Sequence, residues 1–404
     1  MPCVSSDNPT PDGFPFFDFS SLLGGGSPAK LWDNARQVAA TVAADGQTED
    51  NIEPLVRLRI EELARVAELH VNQATGVILP PHTAITVVTR GDWARRSVDT
   101  YRPFFERFGE ALSQQQTTPD ADPQDPFGAM LAPMFAALGP MLVSTAAGSM
   151  LGHLGQTALG QYELPVPRPS HEILLVPSTI DATAADWEVE TDDLRLWVLV
   201  HEYVAHSVLS VNHVSARLEG LFLDFASAFR PNVEEITNQF GDMTDLSQLQ
   251  DLSSTLNEPN AVLNMMRTGA HDLLTPQLDA MVAAVLGFVG HTADTICQRL
   301  LPNHATIKDH FRRRWVDASP ADRFVESLLG LQIDERTFAR GDQFVAGIVE
   351  RSGDEALERL WARDLDIPTP AEIDAPGLWI ARIGLDPELG DVLDEIPDDL
   401  SGLE

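Results

Sequence analysis

Apolar positions recur three and four residues apart through most of the chain, which predicts a mainly α-helical fold. Residues 1–29 are the first exception. They are rich in Pro, Gly, Ser and Asp and carry aromatic residues without a period, so they read as a mobile head. Helical spacing begins near Leu31. A longer helix is predicted from about Asp50 to Gly76, where Ile52, Leu55, Leu58, Ile60, Leu63 and Val66 fall at helical intervals. The β-branched run TAITVVTR reads as a short strand. GDWARRSVDTYRPFFERFGEAL follows as a helix with an aromatic face, and SQQQTTPDADPQDP as a polar, proline-rich loop.

From Pro126 to Tyr162 no residue is formally charged. The run is long enough to cross a bilayer, which takes about 20 apolar residues. However, Pro133 and Pro140 interrupt it, small polar residues dilute it, and no Lys or Arg anchors its ends. It is expected to form a pair of buried helices in a soluble core; membrane association through 126–162 is the alternative. EILLVP then reads as a buried strand, and Thr-Asp-Asp opens a helix from Thr191 that is expected to run past Glu219 toward Phe225. A further helix is expected near Asn257, and a long apolar one from about Thr275 to Leu301. The organisation implied is a head over 1–29, a helical domain with a few short strands over 30–386, and an acidic, disordered tail over 387–404.

Charge narrows the partners. The 404 residues carry 61 acids and 27 bases, a net charge of −34, and the only lysines are Lys30 and Lys308. Such a surface repels nucleic acid and anionic lipid, which need a basic footprint. It fits adaptation to a salty cytoplasm or an arginine-biased genome; attraction of cationic substrates is the alternative. The basic cluster DHFRRRW stands out; Arg312 to Arg314 are expected to pair with the chain's own carboxylates, or else with an acidic partner or the acidic tail. Two cysteines, Cys3 and Cys297, supply no disulfide framework. The opening residues lack the basic and apolar regions of a signal peptide, so a cytoplasmic location is expected.

Candidate chemistry lies in LRLWVLVHEYVAHSVL, residues 194–209. A zinc-peptidase helix carries H-E-x-x-H, because residues four apart share a face and can aim two imidazoles at one ion. Here the pattern is H-E-x-x-x-H. His201 and His206 diverge by roughly 140° on a regular α-helix. A π-bulge at Tyr203, Val204 or Ala205 would bring them together; without it Glu202 and His206 are the matched pair. His213, seven residues on, would return to nearly the face of His206. His291 and Asp294 on the long apolar helix are further ligand candidates. His153, His171 and His271 read as structural.

The wider sequence resembles the zincin-like metallopeptidase type 2 family, found largely in actinobacteria and described in part as hydrolases or as associated with biosynthesis of a deazaflavin coenzyme. The likeness runs from about Leu31 to Ile383 through LWDNARQVA, LPPHTAITVVTRGDWARRSVDTYRPFFE, ALGQYELPVP, EILLVPSTI, LWVLVHE, GLQIDERTFARGDQFVAGIVERSG and IPTPAEIDAPGLWIARIG. It implies a zincin-like fold, possible zinc binding, and a metal motif falling on His201, Glu202 and, one residue late, His206. Glu202 would be the general base. A later family Glu-Gly pair falls on Leu286 and Gly287, so the expected third ligand is replaced by an apolar residue; His291 or Asp294 would have to substitute. Two readings stay open: a zinc-dependent hydrolase using His201, His206 and Glu202 on a peptide or small-molecule substrate, and a zincin-like protein with reduced or absent peptidase activity that binds or scaffolds.

Overall fold

The computed structural model describes residues 28–74, 76–114, 126–168, 170–229, 263, 266–317 and 319–384. The expected head, the acidic tail, the polar loop and the helix near Asn257 lie wholly or mostly outside these residues. The described chain is helical with two four-residue strands. The order is α1 (Pro28–Ala43), α2 (Pro54–Val71), β1 (Ala84–Val87), α3 (Arg90–Gln114), α4 (Pro126–Thr157), β2 (Glu172–Leu175), α5 (Pro177–Asp186), α6 (Thr191–Leu209) and α7 (Asn212–Ala228). After these come α8 (Gly269–Leu300), α9 (His304–Val316), α10 (Pro320–Leu329), α11 (Glu335–Ser352) and α12 (Pro370–Asp374).

Helix α6 is central. Every residue from Leu194 to Leu209 is buried. A helix covered on all sides belongs to the core of the fold, and α2, α5 and α8 pack around it. Its start is set by Asp192 and Asp193 in the first turn, where carboxylates meet the positive end of the helix dipole. Arg195 ties that turn down through Asp181 and Asp192.

The strands pair in parallel, Ala84 with Glu172 through Val87 with Leu175. A parallel pair needs a long crossover, and α3 with α4 supplies it. Residues 158–168 return beside β2, with Gly160 bridged to Leu175 and the Val176 amide donating to the Leu159 carbonyl at 3.0 Å. This return lays Gly160, Gln161 and Tyr162 against α6.

Three departures from the sequence reading have physical causes. The uncharged run forms one helix, α4, over 126–157 rather than two. Its C-terminal half is drawn tight against α1 by glycine: a Cβ at Gly148 or Gly152 would overlap the α1 backbone at Ala35 or Ala39. Second, the histidine helix stops at Leu209. Val211 is extended (φ −67°, ψ 123°), and α7 begins afresh at Asn212. His213 therefore sits on a different helix and does not return to the face of His206. Third, the apolar residues of α2 do not share one face. Ile60 and Leu63 are buried, while Leu55, Leu58 and Val66 are exposed.

Among the described residues one helix, α8, is long and apolar enough to cross a membrane. Its middle, from Met281 to Val289, is buried inside the protein.

Candidate functional site

The histidine helix is α-helical from end to end, without a π-turn at Tyr203, Val204 or Ala205. With regular geometry its three candidate residues part company. His201 turns to α9, its ring 4.7 Å from that of Phe311 and 6.3 Å from that of Trp315. Glu202 and His206 turn instead to the returning segment over 160–162, as i, i+4 spacing requires.

Glu202 is enclosed there. Its Oε2 accepts the backbone amides of Gln161 at 2.9 Å and Tyr162 at 3.1 Å, and Oε1 lies 3.3 Å from the Tyr162 amide. Gly160 makes this approach possible, since a Cβ there would overlap the Glu202 carboxylate. The Gly160 carbonyl is fixed in turn by the indole N–H of Trp93 at 2.6 Å. Burial, then the nearby charge of Glu163, pushes the Glu202 carboxyl up to about 8, against the pull of the two amides. At neutral pH it holds its proton, so it is not a ready base.

Tyr162 links the pair. Its hydroxyl meets His206 Nδ1 at 2.7 Å. Burial, with a smaller effect of His171, pulls His206 down to about 4. Burial, with the Arg314 charge, does the same to His201. Both imidazoles are thus neutral. His206 Nε2 and His201 Nδ1 are buried without a hydrogen-bond partner.

A second buried carboxylate adjoins the first. Glu163 Oε1 accepts the amides of Leu159 at 2.5 Å and Gly160 at 3.2 Å, and Oε2 binds Arg314 at 2.6 Å. Arg314 also donates to the Thr157 carbonyl at 2.5 Å. Two of the three arginines of the basic cluster pair with the chain's own acids: Arg312 binds Asp342 and Glu335, and Arg314 binds Glu163.

The remaining candidates lie elsewhere. His291 faces Asp354 at 3.9 Å in a small cleft between α2 and α8. Asp294 is bound by His304 at 2.9 Å and Lys308 at 2.7 Å, which hold its carboxyl below the usual range despite burial. Leu286 is buried. Of the expected structural histidines, His271 is buried and caps α8 through Thr268, while His171 is exposed.

These donors do not fit a zinc ion. His201 and His206 occupy different faces, Glu202 is spent on backbone amides, and the guanidinium of Arg314 puts a positive charge beside His201. Among the described residues no three His, Cys, Asp or Glu side chains are grouped so that they could hold a metal ion.

Beside this network, between α5, α9 and α10, opens a cleft of about 720 Å³. Glu163, Arg314 and Trp315 connect its wall to the histidine helix. Four buried polar atoms of lining residues lack hydrogen-bond partners: Thr179 Oγ1, His310 Nδ1, Trp315 Nε1 and Asp322 Oδ1. Buried polar groups are normally paired; these four are closed to solvent behind the cleft wall and reach its space only if that wall shifts. Glu326, also lining it, is raised by burial to about 7, in opposition to Arg323. Sequence reading missed Tyr162, Glu163 and the cleft. The only available signal was the unusual density of polar residues in GQYE beside an uncharged run.

A profile described as zincin-like metallopeptidase matches residues 31–380. No curated protein matches the chain. Among solved structures it is similar to a protein of Chloroflexus aurantiacus provisionally named a hydrolase and described as having a novel fold. That similarity has a TM-score of 0.61 at 21% identity and covers 87% of this chain and 98% of the other. At that identity it shows a shared fold.

Proposed function

The chain belongs to the zincin-like metallopeptidase family, and from that premise we propose that it keeps the fold, uses the histidine helix as a structural core, and works by binding a small polar ligand in the 720 Å³ cleft. Zinc-dependent peptide hydrolysis is not its activity in this reading. One observation carries it: Glu202, the residue that would serve a metal-bound water, instead accepts the amides of Gln161 and Tyr162 deep in the core. The size of the cleft and the polar and charged residues on its wall, among them Asp186, Arg313 and Asp317, support it as the place of binding. The acidic surface supports a role away from nucleic acid and anionic membranes, as expected of a cytoplasmic protein.

A second reading, a zinc-dependent hydrolase, is favoured by the family to which the chain belongs and by the provisional name of the Chloroflexus aurantiacus protein. That reading requires His201 and His206 to be brought to one face and Glu202 to leave its amide partners. Elemental analysis after dialysis against zinc-supplemented buffer separates the two. The first reading expects substoichiometric zinc that His201→Ala and His206→Ala do not change. One zinc per chain, lost in both variants, would sink it.

A further inference from the structure

Helix α2 has two apolar faces, and only one is used inside the protein. Ile60, Leu63, Ala64, Ala67 and Val71 are buried. On the opposite side Leu55 is 75% exposed, Leu58 55%, Val66 41% and Leu69 58%. At about 100° per residue these four side chains lie within about 40° of Glu62, at its positions −7, −4, +4 and +7. Arg59 and Arg65 flank the same stripe at −3 and +3. By residue class the face reads the same in both directions about Glu62.

An isologous two-fold contact requires a patch that complements itself, and a palindromic helix face does so in antiparallel pairing. We propose that this face of α2 binds the same face of a second copy of the chain, with the two-fold axis at Glu62. Leu55 then meets Leu69 of the other copy, and Leu58 meets Val66. Four arginines bracket the two Glu62 carboxylates; within each copy Arg59 binds both Glu62 and Asp192 at 2.9 Å. Charge makes this the favourable place to meet. The protein carries −34 overall, yet α2 has three Arg and three Glu and is neutral. Two 18-residue helices bury less than the roughly 1,600 Å² of a standard interface, so association is expected at micromolar concentrations. Salt, by screening the repulsion between the two acidic bodies, should strengthen it.

The test is sedimentation velocity of the full chain over roughly a hundredfold concentration range, with disulfide trapping. Wild type should shift from monomer to dimer, more readily at higher salt. Leu58→Glu combined with Val66→Glu, both on the solvent side, should raise the dissociation constant at least tenfold with an unchanged circular-dichroism spectrum. In a Cys3→Ser background, Glu62→Cys should trap a dimer under mild oxidation, whereas Glu68→Cys, about 120° away on the helix, should not. A monomer at every concentration, or a dimer indifferent to the α2 substitutions, overturns the proposal. So does a disulfide within one monomer between a retained Cys3 and the thiol introduced by Glu62→Cys, because the chain's own first residues would then cover the face.

Discussion

The carboxylate of Glu202 rests against the bare Cα of Gly160, on the stretch of chain whose next two amides it accepts. The contact exists because position 160 has no side chain. Gly160→Ala should therefore push against a buried group that has nowhere to go, costing about 1–3 kcal/mol by analogy with overpacked cores. Glu202→Ala should lose the amide partners instead. In the double variant the methyl enters the space left by the carboxylate, so the two penalties should add to less than their sum. Denaturant melts of the four proteins measure that coupling; strict additivity would mean that the two groups do not touch.

The raised pKa of Glu202 has a signed consequence. The group binds its proton more tightly folded, at about 8, than at the ordinary value of 4.5. Its contribution is complete below pH 4.5 and is lost as pH rises toward 8. Within that window one proton changes the unfolding free energy by at most about 1.4 kcal/mol per pH unit. Glu202→Gln should flatten this alkaline decline. The two histidines act on the other side. Their folded values are lowered to about 4, so their stabilisation is lost as pH falls from 6.5 through 4. Urea midpoints at pH 6 and pH 9 for wild type and Glu202→Gln provide the check, and parallel curves would discount the buried acid.

The helical class of the fold was legible because an apolar period of 3.6 runs through several elements, α3, α10 and α11 above all, while α6 and α8 read as long apolar runs. The divergence of His201 and His206 was legible too, from angle alone, once the helix proved regular. The break at Ser210 was not. Neither Val211 nor Asn212 is a glycine or proline, so no local breaker marks the end of the helix. The partners of Glu202 were also beyond reach. Tyr162 stands 40 residues away and meets the helix only through the return beside β2. Pairing of Arg314 with an internal acid could be expected from charge, while its identity as Glu163 required the fold.

Close helix approach sets a further expectation. A Cβ on Gly287 would overlap the backbone of Gly341, and one on Gly341 would overlap the carbonyl of Ala283. Helices α8 and α11 thus touch backbone to backbone. Gly287→Ala and Gly341→Ala should each destabilise by about 1–3 kcal/mol through helix separation, despite alanine's better helix propensity. A thermal shift upward in either would mean that the helices can part without cost.

The pair of Arg314 and Glu163 gives the last prediction. The Glu163 side chain is 6% exposed and the Arg314 side chain 19%. Removing one partner from such a pair leaves the other charge buried alone, at a cost of about 3–5 kcal/mol for a full interior pair and less here, since Arg314 keeps some water. Arg314→Met should thus destabilise by about 2–3 kcal/mol on the same argument. It should also free Thr157 and the return segment that carries Tyr162. Glu163→Gln in the same chain should restore much of the loss, because the amide oxygen can still accept from Leu159 and Gly160 without a stranded charge. Hydrogen exchange at the Leu159, Gly160, Gln161 and Tyr162 amides tells whether the effect is local. Faster exchange there in Arg314→Met, slowed again in the double variant, is expected from a clamp on the return segment. Unchanged exchange at those four amides would separate Arg314 from the network around Glu202 and leave it only a role in the cleft wall.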